Sequence, residues 1–431
     1  MTSTPPGPTA TARPPQPRVP WWGIAAAWLA SRTLLLVVWG LFELEATGDV
    51  FYYHRRISEL AATGLPGTLV EYPTPVVWIL TLPWLLGAGT RAGFVAAFVA
   101  LMLALDALLT VRLHRTSPRP TAALFWIGFV LLLGPLTVLR FDMIPAVLAG
   151  LALLWALTRP AVAGGLIGLG AAVKLWPALL VPALLGGRTR RRATLLGFVG
   201  VGFGLAGLSL LAGGADRLVS PLGWQSERGL QVESVWATPV MLWHALAPGS
   251  HTISMSRYQA FEVFGPHVDA WTRVADVSTV LALLVMAVLF VRTWRSGRTD
   301  VLAAAALMTA VVALMIVSNK TLSPQYLLWL GGPVAVLVQQ VSSAPTDRAR
   351  TRPVVLLALG SLLLAALTHL VYPVLYLPMV YGPAGAGQTL AVLVLTVRNA
   401  GLLALTVLAV SLAWRLTARR EEPVGEDSRP G

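Results

Sequence analysis

Cysteine is absent from the 431 residues, so neither a disulfide framework nor a thiolate metal site is open to the chain, and sulfur says nothing about its redox compartment. Charge is scarce as well. Only 12% of the residues are Asp, Glu, Lys or Arg, about half the share of an ordinary globular domain. With 56% apolar residues and a mean hydropathy of +0.71, the chain fits lipid as its solvent. Lysine is nearly missing, since Lys174 and Lys320 are the only two. The histidines His54, His244, His251, His267 and His369 form no i, i+4 pair of the kind that ligates zinc, so neither a metal nor another cofactor is expected.

What is present is arginine, and the net charge of +13 raises the question of nucleic acid. The arginines are not gathered on one domain. They recur in short groups between apolar runs, which is the pattern of cytoplasmic loops, so no nucleic acid is expected as partner.

The length needed to cross a bilayer, about 20 apolar residues, parses the chain. Residues 1–20 are rich in Pro, Thr and Ala and read as a disordered cytoplasmic tail, with an uncleaved first span from Trp21 to Glu43. Further spans fall near 92–111, 121–138, 142–157, 194–212, 273–291, 300–317, 326–341, 354–371 and 388–414. The stretch 161–185 has arginines at both ends and asks for a hairpin of two short helices with Lys174 and Pro177 at its tip. Residues 415–431 form a second cytoplasmic tail. The expectation is an all-α polytopic bundle of about twelve transmembrane helices filling 21–414, with a long first outer loop. In that loop, Val76 to Gly87 is too short to cross and reads as interfacial or re-entrant. The groups Arg112–Arg119, Arg188–Arg192, Arg292–Arg298, Arg348–Arg352 and Arg415–Arg420 then all face the cytoplasm.

Both lysines and most acidic residues are left outside, Glu43, Asp49, Glu71, Glu227 and Glu233 among them. Asp49 follows the first helix in GDVFYYH, where a rigidly placed carboxylate could act as general base, although spacing alone is met more simply by a solvated loop aspartate. Arg140 and Asp142 share the RFDMIP turn. A mutual ion pair is the simpler reading; a guanidinium facing a phosphate is the alternative. Glu227, Arg228, Gln231 and Glu233 stand at helical spacing beside Trp224 and Trp236, as a sugar site or an interfacial tryptophan belt would have them. SNKTLSPQY adds Lys320, Gln325 and Tyr326. Within the bilayer, Arg32 and Asp106 would each cost about 2.5–3.5 kcal/mol unpaired, so mutual pairing is expected.

In order and sidedness these motifs resemble glycosyltransferase family 87, the polyprenyl-phosphate-sugar-dependent membrane enzymes of the GT-C fold. The resemblance is carried by Asp49, Tyr72 and Pro73, the RFD turn, KLWP from Lys174, RGLQVES from Arg228 and NKTLSPQY from Asn319. It implies transfer of mannose or arabinofuranose from a polyprenyl-phosphate donor, entering from the membrane lipid, to a glycolipid or cell-envelope glycan outside the plasma membrane. It further implies Asp49 as base on the acceptor hydroxyl, and Arg140, Lys174, Arg228 and Lys320 as phosphate ligands. Tyr72, Asp142, Gln231, Glu233, Gln325, Tyr326 and His369 would complete the substrate site. Mannosyltransferase-like members often carry histidines after the serine-proline pair, where this chain has Gln325 and Tyr326; His369 is the residue that could substitute. A secondary transporter or lipid flippase is the rival class. Transporters place their sites near the midplane, whereas the polar residues here lie at the outer boundary. A polymerase or ligase of envelope glycans would differ mainly in acceptor.

Overall fold

The computed structural model describes residues 20–226, 228–297, 300–343 and 348–417. Both expected tails, apart from Pro20 and residues 415–417, lie outside the described residues, as do Glu227, Arg298, Arg419 and Arg420.

The chain is helical almost throughout. Helix α1 (Trp21–Phe42) is followed by α2 (Gly48–Ser58), α3 (Leu60–Gly67), α4 (Thr74–Leu86), α5 (Arg91–Thr116), α6 (Thr121–Leu133), α7 (Met143–Trp155), α8 (Pro160–Val173) and α9 (Arg191–Ser226). After α10 (Thr238–Leu246) comes an antiparallel hairpin, β1 (Thr252–Met255) with β2 (Phe261–Phe264). Then follow α11 (Val268–Ser296), α12 (Val301–Ser318), α13 (Leu328–Ser343), α14 (Arg348–His369), α15 (Tyr376–Tyr381) and α16 (Ala386–Leu416). Among the described residues, α1, α5, α9, α11, α12, α14 and α16 are long and apolar enough to cross a membrane, which makes this an all-α multi-pass membrane protein.

Burial sorts the helices. In α12, 83% of the apolar window is buried inside the protein, against 6% in α9, so α12 is central and α9 peripheral, facing lipid. The short α7 is apolar all round and buried along nearly its whole length against α8 and α13, while α6, equally apolar, buries one side against α13 and α14. Helix α8 meets α9 backbone to backbone. A Cβ on Gly164 would stand 1.9 Å from the Thr194 carbonyl oxygen, and one on Gly197 1.9 Å from that of Ala161. Small residues at such contacts are how membrane helices gain dispersion contact without a hydrophobic driving force.

The hairpin expected over 161–185 is present. Helix α8 ends at Lys174, whose backbone is extended, and the return arm Trp176–Leu184 is a tight three-residue-per-turn helix containing Pro177 and Pro182. Arg32 and Asp106 pair as expected, through Nε–Oδ2 at 2.7 Å and Nη2–Oδ1 at 2.9 Å. The first outer segment is not an open loop. It folds as α2, α3 and α4, the last packed along α5.

Residues 228–233 are not helical, contrary to the spacing argument. The Val232 N–H donates to the Phe261 carbonyl and the Val263 N–H to that of Leu230, so this strip runs beside the hairpin as a short third strand. Gly229 and the β-branched Val232 suit the extended backbone of this bridge, and a strand edge was available to satisfy it; the chain then turns, the Ser234 N–H donating to the Gln231 carbonyl, into a short three-residue-per-turn helix at Val235–Ala237. Leu230, Val232, Met241, Phe261 and Val263 pack with Val371, Met379, Val392 and Leu395 into a second, smaller core at this end of the bundle.

Candidate functional site

At that end lies a cavity of about 1360 Å³. It is bordered by α2, the corner at Glu71–Pro73, the turns at Arg140 and at Lys174–Trp176, the third strand, the first half of α11, and the 319–326 loop. Ten of the twelve expected site residues line it: Asp49, Tyr72, Arg140, Lys174, Arg228, Gln231, Glu233, Lys320, Gln325 and Tyr326.

Asp49 sits in the first turn of α2, where the helix dipole favours a carboxylate, and it is 44% exposed. Trp39 Nε1 donates to Thr47 Oγ1 at 2.9 Å, tying the turn between α1 and α2 to the helix before it. Arg140 is buried, and its Nε stands 2.8 Å from Asp49 Oδ2. That contact is not aligned as a hydrogen bond, so the pair is held by charge. The other guanidinium nitrogens fix the arginine, with Nη1 donating to the carbonyls of Ala46 and Leu139 and Nη2 to Tyr372 Oη. Burial works against the Arg140 charge, but the Asp49 carboxylate and Tyr372 more than offset it and hold its pKa above the ordinary value. Burial and the nearby carboxylates raise Tyr72 well above the normal phenol range, so it remains a neutral donor.

Arg140 and Asp142 do not pair with each other. Asp142 is buried away from the cavity, where Oδ1 accepts from Lys174 Nζ at 2.7 Å and Trp329 Nε1 at 2.8 Å. Phe141 stands between them, and the turn sends the two charges to different partners, Asp49 and Lys174. The Lys174 ammonium lies 5.1 Å from the Phe141 ring centroid and 5.5 Å from those of Tyr326 and Trp329. An ammonium has three donors, and Asp142 takes one. Lys320 reaches the cavity from the loop after α12, with Nζ 3.7 Å from Asp276 Oδ1. Its backbone carbonyl accepts from the Gln231 N–H, and the Asn319 carbonyl from Ser234 Oγ, so the third strand anchors this loop.

His369 does not reach the cavity. Its Nε2 lies 2.7 Å from Glu43 Oε1, linking the end of α14 to the end of α1. Its ring packs over Gly134, where a Cβ would fall 2.7 Å away. Glu233 borders the cavity but is turned to Arg398 of α16, at 3.2 Å. Burial pushes its carboxyl up to about 7, with Arg398 only partly opposing the shift.

Several lining residues were not expected from the sequence. Trp176 stacks on Trp329 at 4.5 Å and Trp329 on Tyr326 at 4.2 Å, an aromatic wall built by two separate turns. Tyr52 Oη donates to Glu71 Oε1 at 2.7 Å. Asp276 enters from the third turn of α11; an acid inside an apolar run was its only signal. Among the described residues no cluster of His, Asp and Glu could hold a metal ion.

Fold and site together describe a multi-pass membrane protein with a polar cavity at one end of its helices, in which carboxylates face cationic groups. The model of glycosyltransferase family 87 matches residues 71–318, more than half of the chain. The chain therefore belongs to glycosyltransferase family 87 and is a membrane glycosyltransferase. No curated protein matches it.

Proposed function

We propose that the cavity is the site of sugar transfer from a polyprenyl-phosphate donor to a glycolipid or envelope-glycan acceptor, with mannose or arabinofuranose as the sugar. The observation that carries the reading is the meeting of one half-exposed carboxylate, Asp49, with Arg140, Lys174, Arg228 and Lys320 in one cavity. In the reaction the acceptor hydroxyl oxygen bonds to the anomeric carbon as the bond from that carbon to the phosphate oxygen breaks, with inversion. The hydroxyl proton passes to Asp49. The donor phosphodiester carries one negative charge and the departing phosphate monoester up to two, so fixed cations stabilise the charge that develops. Lys174, boxed by aromatic rings and anchored by Asp142, and Arg140, fixed by three oxygens, are preorganised for this.

Sidedness supports an extracytoplasmic site. Arg112, Arg115 and Arg119 lie at the opposite end of α5 from the cavity-lining Arg91, and Arg292 and Arg295 at the opposite end of α11 from Asp276. By the positive-inside rule the cavity then faces away from the cytoplasm. Adding α6, α7, α8, the 176–184 arm and α13 to the seven long helices gives twelve crossings. Because the chain has no cysteine, single cysteines introduced into its loops and labelled with an impermeant reagent read this topology directly.

The reading is tested with purified protein, radiolabelled polyprenyl-phosphate sugars and membrane glycolipids, with Asp49→Asn in parallel. Transfer by the wild type that disappears in the folded variant is expected. Equal transfer by both would remove Asp49 as base, and no transfer from any polyprenyl-phosphate donor would sink the proposal.

A further inference from the structure

Helix α9 breaks at Gly214, whose φ of 80° is in the left-handed region, and its last turns lean toward the cavity, which Pro221 and Trp224 line. Three residues past the break, Arg217 is 2% exposed, with no carboxylate among its hydrogen-bond partners. Its guanidinium is wrapped by one stretch of backbone. Nε donates to the Leu65 carbonyl at 3.2 Å, Nη1 to that of Tyr72 at 2.7 Å, and Nη2 to those of Thr68 and Leu69 at 3.2 and 2.9 Å. Nη1 also donates to Ser220 Oγ, which in turn donates to the Val70 carbonyl at 2.7 Å. All five guanidinium donors are thereby used. A methyl on Gly213 would stand 2.9 Å from Arg217 Cγ, so the glycine leaves room for the side chain to fold back.

The wrapped stretch runs from the last turn of α3 through the irregular link to α4; the Leu65 and Leu69 carbonyls each also accept one backbone N–H, from Thr68 and Tyr72, and at Leu69 the chain takes a φ of 51°, strained for a branched side chain. Such backbone persists only where its surroundings fix it, and here the fixing group comes from a lipid-facing helix. The same stretch ends in Glu71 and Tyr72. Both line the cavity, Glu71 holding Tyr52, and Tyr72 packing edge-on against Phe141 and Tyr53 beside the Arg140–Asp49 pair.

We infer that Arg217 is a positioning residue for transfer: it locks the Leu65–Tyr72 strap to the end of α9 and so sets the Glu71–Tyr72 wall against which the acceptor is aligned on Asp49. The inference rests on the reading of the cavity as the transfer site. A small displacement of that wall misaligns the acceptor hydroxyl without touching the cationic groups that would hold the donor phosphate. Loss of the latch therefore lowers kcat and leaves the KM for the donor in place, since a misplacement of about 1 Å can cost on the order of 100-fold in rate.

The test measures kcat and donor KM per folded molecule for wild type, Arg217→Lys and Arg217→Ala, using a polyprenyl-phosphate sugar the wild type accepts. The expected result is a fall in kcat of about 10- to 100-fold in both variants, with donor KM within about twofold. Guanidinium ion should restore turnover to Arg217→Ala, and ammonium should not. Variants with lower thermal midpoints but unchanged kcat would make Arg217 purely structural and overturn the inference. If neither variant folds, Ser220→Ala carries the test: it removes the tie to Val70 and one Nη1 contact, and leaves the four bonds from the guanidinium to backbone carbonyls. There a fall in kcat of about threefold to tenfold supports the inference, and an unchanged kcat overturns it. A wild type inactive with every donor would instead count against the transfer reading itself.

Discussion

Two arginine–aspartate pairs show how one chemical unit serves two ends in this molecule. Deep in the bundle, Asp106 accepts from Arg32 Nε and Nη2 and from the indole nitrogens of Trp28 and Trp126, while Arg32 Nη1 donates to Ser31 Oγ and the Ile127 carbonyl. Both charges are at most 2% exposed and neither lines the cavity. At the cavity end Arg140 is similarly buried and held by oxygens, but its partner Asp49 keeps nearly half of its side chain open to the cavity. A saturated pair has no valence left for a substrate and can only hold helices together. A pair with one open member can bind and exchange a proton.

Asp49→Asn gives the largest expected effect. Loss of a general base lowers kcat by about 10²- to 10⁴-fold, while the thermal midpoint in detergent should fall only modestly, since the buried Arg140 loses its counter-charge but keeps its bonds to the Ala46 and Leu139 carbonyls and Tyr372 Oη. Asp106→Ala should do the opposite. Breaking one side of a buried pair costs about 3–5 kcal/mol, read as a fall in the denaturation midpoint, with turnover per folded molecule preserved. If Asp106→Ala abolished turnover in folded protein, the division between the two pairs would be broken.

Lys174→Met sharpens the same division from the cationic side. Removing one fixed donor to a developing oxyanion costs about 10²- to 10³-fold in kcat. The substitution also strands the buried Asp142 carboxylate, so some loss of stability should accompany it. Lys174→Met,Asp142→Asn, which removes the stranded charge, should recover the stability and not the rate. Recovery of both in a transfer assay would reassign Lys174 from phosphate to scaffold.

The same physics explains what was legible in the sequence. The pairing of Arg32 with Asp106 could be read because two lone charges in apolar runs have few alternatives at that depth. The gathering of ten expected residues around one cavity could be read from their placement at the outer ends of apolar runs. The partners of Arg140 and Asp142 could not, because the course of the turn decides where each side chain points, and their partners Asp49 and Lys174 come from distant segments. Nor could the bridge of Leu230–Val232 to β2, which supplied an edge that local spacing does not reveal. His369 stands at the end of its helix, but Glu43, far away in sequence, holds it outside the cavity. Arg217 escaped notice for a related reason: its partners are backbone carbonyls, which leave no mark in a sequence.

A third acid–arginine pair lies between the two extremes. Glu233 and Arg398 are as buried as the inner pair, and Glu233 borders the cavity, yet they are incompletely satisfied: Glu233 Oε1 and Arg398 Nε have no hydrogen-bond partner. Burial therefore dominates and raises the Glu233 carboxyl from 4.5 to about 7. A group whose pKa is higher in the folded than in the unfolded state contributes stability that is complete below the unfolded value and is lost as the pH rises through the folded one. The denaturation midpoint of the wild type should thus fall between about pH 4.5 and about pH 7, with a cost on the order of 3 kcal/mol at most. Glu233→Gln has no proton to lose and should show a flatter profile across that window. Identical profiles for the two proteins would mean that Arg398 keeps the carboxylate charged throughout, and this pair would then belong with the inner, structural kind.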